Sequence, residues 1–551
     1  MKKRRYRWLA LAMALALALT ACGSSSSSSD TTAADTAETT AEAGGEETTG
    51  SDEEATDAAE GDITSSKDTL IYAIDSDPGT MDPYSGPMGP QLGLACQSLE
   101  ALTIYDENGE LIPWLAESWE YDDDAMGCTF YLRQDVTFSN GDAFNADAVV
   151  YTMQNACSKS SSMQGYLANV DVDNIEKIDD YTVYVPTTVA FGTLAYTMAN
   201  VFVVDPAVYE EEAAAGEGIT GTGPFVCTDW EAGVSVTYTA NETYWRGAPY
   251  IKTLEMRIIT ESSVRMVELE NGNVDGIKSV STEDLSRVVN GETEGIDVWQ
   301  ADTSQAAYNF GINMTSELMQ DERVRHAVLM SLDIESLTIV GVGDTGVACE
   351  TILPDNMWYS TTLEGDASSA YDPEAAKELL AEAGYPDGIT ISMKCDSNAV
   401  RQKMAELMPS MMAEAGITLE VEYMETAAYS SWKLETDGSD YDVFLSNCGS
   451  LNEPSSSISG FSTSVNTQGG GGLFLYAGTD IGETISALVE SAAAEPDQDA
   501  RAAIYQEFKQ TVASSYIAKG ITAIYDTNLV SSNLKGMCFR PNVDFSKAYF
   551  E

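Results

Sequence analysis

Apolar and polar positions follow two periods along this chain, one of two residues and one near 3.6, and their succession predicts strands and helices in turn, an α/β fold. Thr69-Leu70-Ile71-Tyr72-Ala73-Ile74 is a short apolar run ending at Asp77-Pro78-Gly79, which reads as a buried strand entering a turn. Cys128 to Phe138 has strand character, with Asp122-Asp123-Asp124 as a solvated turn before it and Asn140-Gly141 as a turn after it. Asn145 is placed to cap a helix through Ala146 to Tyr151. A second helix is bounded at both ends: Asp372 caps it, Pro373 suits its first position, and Gly384 supplies the left-handed stop after Glu374 to Ala383. In the run Glu322 to Leu332, Val324, Ala327, Val328, Ser331 and Leu332 share one helical face, which leaves His326 toward the polar side. The chain shows no internal repeat.

The N-terminus breaks this alternation. Lys2, Lys3, Arg4, Arg5 and Arg7 precede twelve apolar residues, Trp8 to Leu19, too few for the ~20 a membrane-spanning helix needs, so residues 1–21 read as a signal segment. Leu19-Thr20-Ala21-Cys22 resembles the lipobox of bacterial lipoproteins, which implies cleavage before Cys22 and lipid on its sulfur. Residues 22–66 then form a tether: Gly23 to Ser66 is almost wholly Ser, Thr, Ala, Gly, Asp and Glu and cannot build a core. As a flexible coil its reach is ~35–40 Å. The expected location is the outer face of the cytoplasmic membrane, lipid-anchored, on the cell-surface or periplasmic side, and a cytosolic role is excluded.

Charge and residue counts narrow the chemistry. Loss of the five leader cations takes the formal charge from −60 to −65, which argues against nucleic acid as a partner. Residues 67–551 are long enough for two or more domains. Eight cysteines remain beyond Cys22, none in a CxxC pair; the compartment permits disulfides, but buried free thiols suit so large a chain better. With a single histidine, a multi-His metal site is impossible, and a Ser-His-Asp or Cys-His site exists only if built on His326. No GxxxxGK[ST] occurs, and Gly469 to Gly472 reads as a flexible loop. Eighty-eight acidic residues leave a paired-carboxylate glycosidase site as an open alternative.

One resemblance covers nearly the whole folded part. Leu111-Ile-Pro-Trp-Leu-Ala-Glu-Ser-Trp119, Phe130-Tyr-Leu-Arg133, Val136, Phe138, Asn140-Gly141 and Ala146-Asp-Ala-Val149 are similar to the signature block of the extracytoplasmic solute-binding proteins of ABC importers, peptide/nickel family. Met81-Asp-Pro83, Gly221-Thr-Gly-Pro-Phe225, Asn241 with Tyr244-Trp245, Gly272 with Val274-Asp275, Val324-Arg325 with Asp333, Tyr371-Asp-Pro373, Ala383-Gly-Tyr385 and Tyr441-Asp442 follow in the family's order. The resemblance implies a two-lobe periplasmic-binding-protein fold with a hinge and an extra subdomain on the first lobe. On this reading residues 67–305 are lobe I, with the subdomain over about 99–185, residues 306–521 are lobe II, and residues 522–551 return to lobe I. The crossings fall near Gln305 to Asn313 and Ala523 to Val530. Function is then binding, not catalysis: a monomeric receptor, needing no cofactor or metal, that closes on a peptide or other small solute and serves a permease and ATPase.

Most signature residues, Trp114 and Trp119 among them, read as scaffold. The resemblance places contacts elsewhere. Tyr84, Ser85 and Met88 lie in a loop where first-lobe residues approach the ligand, and Trp432 matches an aromatic lining a side-chain pocket of oligopeptide receptors. In peptide-binding members the stretch matching Ser446 to Pro454 supplies a Trp and, three residues on, an Asp for the peptide's ammonium group. Here Asn452-Glu453-Pro454 is kept, but Asn447 stands at the Trp position and Ser450 at the Asp position. Either Glu453 or another acid takes the amine, or the ligand has no free α-amine, as with an oligosaccharide or other solute. Nickel is disfavoured by the single histidine.

Overall fold

Thr69–Ile74 forms the strand its pattern predicts and lies inside an eleven-stranded sheet that runs through both halves of the folded chain. The structure is a computed structural model; it describes residues 63–85, 90–216, 218–359, 363, 369–449, 452–464, 472–540 and 542–551. Asp62–Glu551 form one compact unit, and the signal segment, Cys22 and nearly all of the tether lie outside the described residues.

From one edge the strand order is Ile417–Tyr423, Ile389–Cys395, Val443–Gly449, Ile296–Ile312, Ala518–Ser531, Gly276–Ile277, Thr69–Ile74, Thr253–Ile258, Ser235–Ala240 and Phe225–Glu231, with Gly346–Ala348 also paired to Ala518–Ser531. Each end contains a parallel set. Ile389–Cys395 is parallel to both of its neighbours, and Thr69–Ile74 is parallel to Thr253–Ile258 and Gly276–Ile277. Between them, Ile296–Ile312 and Ala518–Ser531 run antiparallel and belong to both halves. Their pairing slips between Gln300 and Ser304 and again between Ser304 and Ala306.

The hydrophobic cores separate at that slip. One core draws its buried residues from Ala307 to Ile521. Two others, around Tyr72 and around Met266, take in Ile296, Ala301, Leu529 and Val530. The chain thus passes from one set of cores to the other between Ala301 and Ala307 and returns between Ile521 and Leu529. A further core, Tyr84 to Ile219, belongs to a subdomain built on the four-stranded sheet Ala116–Tyr121, Gly127–Leu132, Thr182–Pro186 and Glu176–Asp179.

Caps account for the helix starts. Asn145 Oδ1 accepts from the backbone N–H of Asp147 at 2.9 Å, and Asp372 Oδ1 from that of Ala375 at 2.9 Å, with Pro373 following and Gly384 at φ +102° beyond the end. The signature residues converge on a buried carboxylate that the sequence did not single out. Glu100 accepts from Trp114 Nε1 (2.7 Å), Thr222 Oγ1 (2.7 Å), Tyr244 Oη (2.8 Å) and Trp245 Nε1 (2.9 Å). Burial pushes its pKa up, against the pull of these four donors. Trp114 is therefore scaffold, and Trp119 packs half-buried against the subdomain core.

Two expectations change. The strand from Cys128 stops at Leu132: Arg133 turns out to pair with Asp135, while Val136 and Phe138 stay buried as core residues outside any strand. His326 is half-buried, not solvated, and stacks on Tyr516 with centroids 4.0 Å apart. Glycines 469–471 lie outside the described residues. The eight cysteines among the described residues are free thiols.

Several cations are interior. Arg265 donates to the carbonyls of Ile259, Thr260, Lys278 and Ser279, Arg325 to those of Met319, Gln320 and Ser515, and Lys519 to those of Leu329, Leu332 and Ser369. Carbonyl oxygens thus compensate charges that burial alone would penalise.

Candidate functional site

Ala306 lies opposite Gly449, so the carboxyl ends of the parallel strands Ile389–Cys395, Ile417–Tyr423 and Val443–Gly449 point toward the crossing. On the other side Gly276 lies opposite Val530 and Ile277 opposite Leu529, so Thr69–Ile74 and Gly276–Ile277 also end at the crossing. Two carboxyl-terminal sheet edges therefore face one another's hinge, the position where open parallel sheets hold ligands.

The edge of the larger core carries a guanidinium. Asp396 follows its strand directly, and Asn398 caps helix Ala399–Glu414, which sets Arg401 in the first turn. Arg401 grips Asp396 bidentately, Nε to Oδ1 at 2.7 Å and Nη2 to Oδ2 at 2.6 Å, and its Nη1 donates to Asn447 Oδ1 at 2.9 Å. The guanidinium holds the Asp396 carboxyl below its ordinary range. Asn447 is exposed, and Tyr308 on the crossing strand lies opposite it. Sequence reasoning missed Arg401; an Asn cap directly after a strand end, with Arg three residues on, was the available signal.

The opposing edge carries two acids and a lysine. Ser279 Oγ donates to Asp75 Oδ2 at 2.7 Å, and Asn528 Nδ2 to Asp526 Oδ1 at 3.2 Å. Burial raises the Asp526 pKa; nearby Lys278 opposes the rise and Asp75 adds to it. A small cavity of about 50 Å³ opens beside Tyr72, Asp75 and Lys278.

The expected contacts disperse around these edges. Tyr84 is buried in the subdomain core, with its hydroxyl donated to Phe202 O at 2.5 Å. Ser85 is exposed and its Oγ lies 2.8 Å from Thr80 Oγ1. Trp432 is half-buried: its ring packs on Tyr441, centroids 5.1 Å apart, at the amino end of strand Val443–Gly449, and on Tyr429 at 5.2 Å, and its Nε1 donates to Asp440. Met88 and Ser450 lie outside the described residues.

Glu453 is not free to hold an amine. It is buried, it accepts from Arg501 Nε at 3.1 Å, from Tyr505 Oη and from the Ser455 backbone at 3.2 Å, and Arg501 in turn stacks over Tyr196 of the subdomain at 4.6 Å. Burial pushes the Glu453 pKa up, and Arg501 and Tyr505 pull it back. A cavity of about 350 Å³ lies beside it, between the subdomain and residues 452–493.

The profile of bacterial extracellular solute-binding proteins, family 5 Middle, matches residues 110–469, more than half of the chain. The chain belongs to that family. It is 27% identical over 455 residues to heme-binding protein A of Haemophilus influenzae, spanning 73% of this chain and 80% of that one. It is 24% identical over 474 residues to the dipeptide-binding protein of Escherichia coli K12, spanning 80% and 86%. Among solved structures, HbpA2 from Haemophilus parasuis superposes with a TM-score of 0.77 at 23% identity, over 88% of this chain and all of that one. The fold is the two-lobe periplasmic-binding-protein fold, and the family 5 chain is the extracytoplasmic substrate-binding component of an ABC importer.

Proposed function

We propose that this family 5 protein is a receptor tethered through lipidated Cys22, which closes its lobes around a peptide-like solute and delivers it to the permease. The supporting observation is the pair of carboxyl-terminal sheet edges that meet at the crossing. Lobe closure is assigned to the slipped segment, residues 301–307, with its partner at 521–529. Arg401 presents Nη1 to a carboxylate or carbonyl of the solute, which takes the place of Asn447 Oδ1. Asp526 and Asp75, two acids around one lysine, meet the ammonium end, a role that Glu453, already engaged, leaves open. The dipeptide-binding relative favours peptide as the solute class. Ser450 in place of an acid favours the second reading, a solute without a free α-amine such as an oligosaccharide.

Native mass spectrometry of residues 62–551 purified without denaturation tests this. A set of bound masses that sequence as peptides is expected. A single non-peptide mass moves the assignment to the second reading, and an empty protein that takes up no peptide in titration removes the first.

A further inference from the structure

We infer that the seam between the subdomain and the second lobe is a second solute subsite, which takes an uncharged ring bearing hydrogen-bonding groups, an aryl side chain or a sugar. This rests on the receptor reading and extends it to the far end of the solute. The cavity volume of about 350 Å³ is within the roughly 300–1,000 Å³ of small-molecule sites. Its walls come from both sides, Tyr105, Tyr166 and Tyr196 from the subdomain and Asn452 and Glu453 from the second lobe, so an occupant bridges them.

Polarity selects the occupant. Glu453 is the one charged residue lining the cavity among the described residues, and Arg501 and Tyr505 already hold its carboxylate. A charged appendage is desolvated there without a counter-charge, which is costly. A ring finds tyrosine faces to stack on. Asn452 lines the cavity, and its side-chain oxygen, which lies close to Gly109, is buried without a hydrogen-bond partner among the described residues, so rotation of the amide offers a hydroxyl or amide donor on the ring an acceptor. The cavity is also linked to the strand edge. Asn200 borders both it and an apolar cavity of about 80 Å³ beside Trp114 and Phe202, and Asn542 joins the latter to the cavity beside Asp75 and Lys278. Neighbouring members of these three spaces thus share lining residues between the seam and the strand edge.

Gly165 permits a test that spares the fold, because it lines the cavity within helix Ser161–Tyr166 and an added Cβ there meets no atom within 4 Å. Gly165→Phe fills the space from the subdomain side and Ala493→Phe from the opposite wall. Binding of phenol and of methyl β-glucoside to the full chain is read by saturation-transfer NMR, and thermal melts verify the fold of both variants. One probe is expected to bind the unaltered protein and to weaken on the order of tenfold in each folded variant; phenol identifies an aryl source and the glucoside a sugar source. Binding of neither probe, or binding unchanged in the filled variants, overturns the inference. A solute that co-purifies while neither probe binds removes the subsite and leaves the receptor standing. Probe binding lost on filling in a protein that captures no solute keeps the subsite and removes the receptor reading.

Discussion

Two acid–arginine pairs with nearly the same chemistry have opposite availability. Glu453 and Arg501 are enclosed, with side-chain exposures of 5% and 0%; Glu453 accepts from Tyr505 and Ser455 and Arg501 donates to the Glu495 carbonyl, while Arg501 Nη2 is buried without a hydrogen-bond partner among the described residues. Asp396 and Arg401 sit at a strand edge, where Arg401 keeps 16% exposure and turns one nitrogen to an exposed asparagine. A buried ion pair closed off from solvent joins parts of the fold. A pair with one group facing the cleft is able to exchange partners. The difference lies in where the chain places the residues, not in which residues they are.

The comparison predicts its largest effect at Glu453. Glu453→Ala leaves Arg501 as an uncompensated buried charge and is expected to cost ~3–5 kcal/mol of stability, read from urea unfolding; a loss below 1 kcal/mol on that scale, with solute binding abolished, reverses the assignment of the two pairs. Arg401→Lys keeps a charge against Asp396 but gives up the fork that reaches Asn447. Solute affinity should fall by about 1.5 kcal/mol with the melting temperature barely moved, and equal loss in both quantities makes Arg401 structural. Ser450→Asp restores the acid of the peptide-binding pattern and is expected to tighten trialanine about tenfold while leaving N-acetyl-trialanine unchanged. Calorimetry that finds both peptides unaffected separates Ser450 from the amine site.

A third kind of committed charge is read through pH. Burial pushes Lys519 down to about 8, against roughly 10.4 for an ordinary lysine. Between these values the unfolded chain still holds the proton that the folded chain has lost, so this group adds stability as pH rises from 8 to 10 and costs stability below 8. The unaltered protein should gain on Lys519→Met over that interval, and a constant difference in urea midpoint contradicts the shift.

Much of the fold was legible because its signals are local. Asn145 and Asp372 state their helix starts within three residues, and Thr69 to Ile74 carries its strand in its own side chains. What the sequence concealed depends on distant partners. Arg501 lies 48 residues from Glu453, Tyr516 meets His326 across nearly two hundred, and the donors to Glu100 come from segments more than a hundred apart. Val136 and Phe138 read as a continuation of the strand because an alternating pattern reports which side chains are inside; their backbone pairs only in a short local bridge, Thr137 with Ala143, beyond the break at Arg133. Arg401 went unread because its meaning depends on the neighbouring strand that brings Asn447 beside it.

The interior cations have a consequence for the space around the molecule. Arg265, Arg325, Arg501, Lys509 and Lys519 are shut inside, in a chain with 28 basic and 88 acidic residues. A comparable set of acids, Asp82, Glu100, Asp205, Asp275, Asp396 and Glu453, is buried with them, so the large anionic excess of the formal count is left at the surface. Such a surface draws cationic solutes from a distance and turns anionic ones away, over a range of about 8 Å at physiological salt. Encounter rates with an ammonium-bearing solute should fall as salt is added, while the dissociation rate, governed by contacts inside the cleft, stays nearly constant.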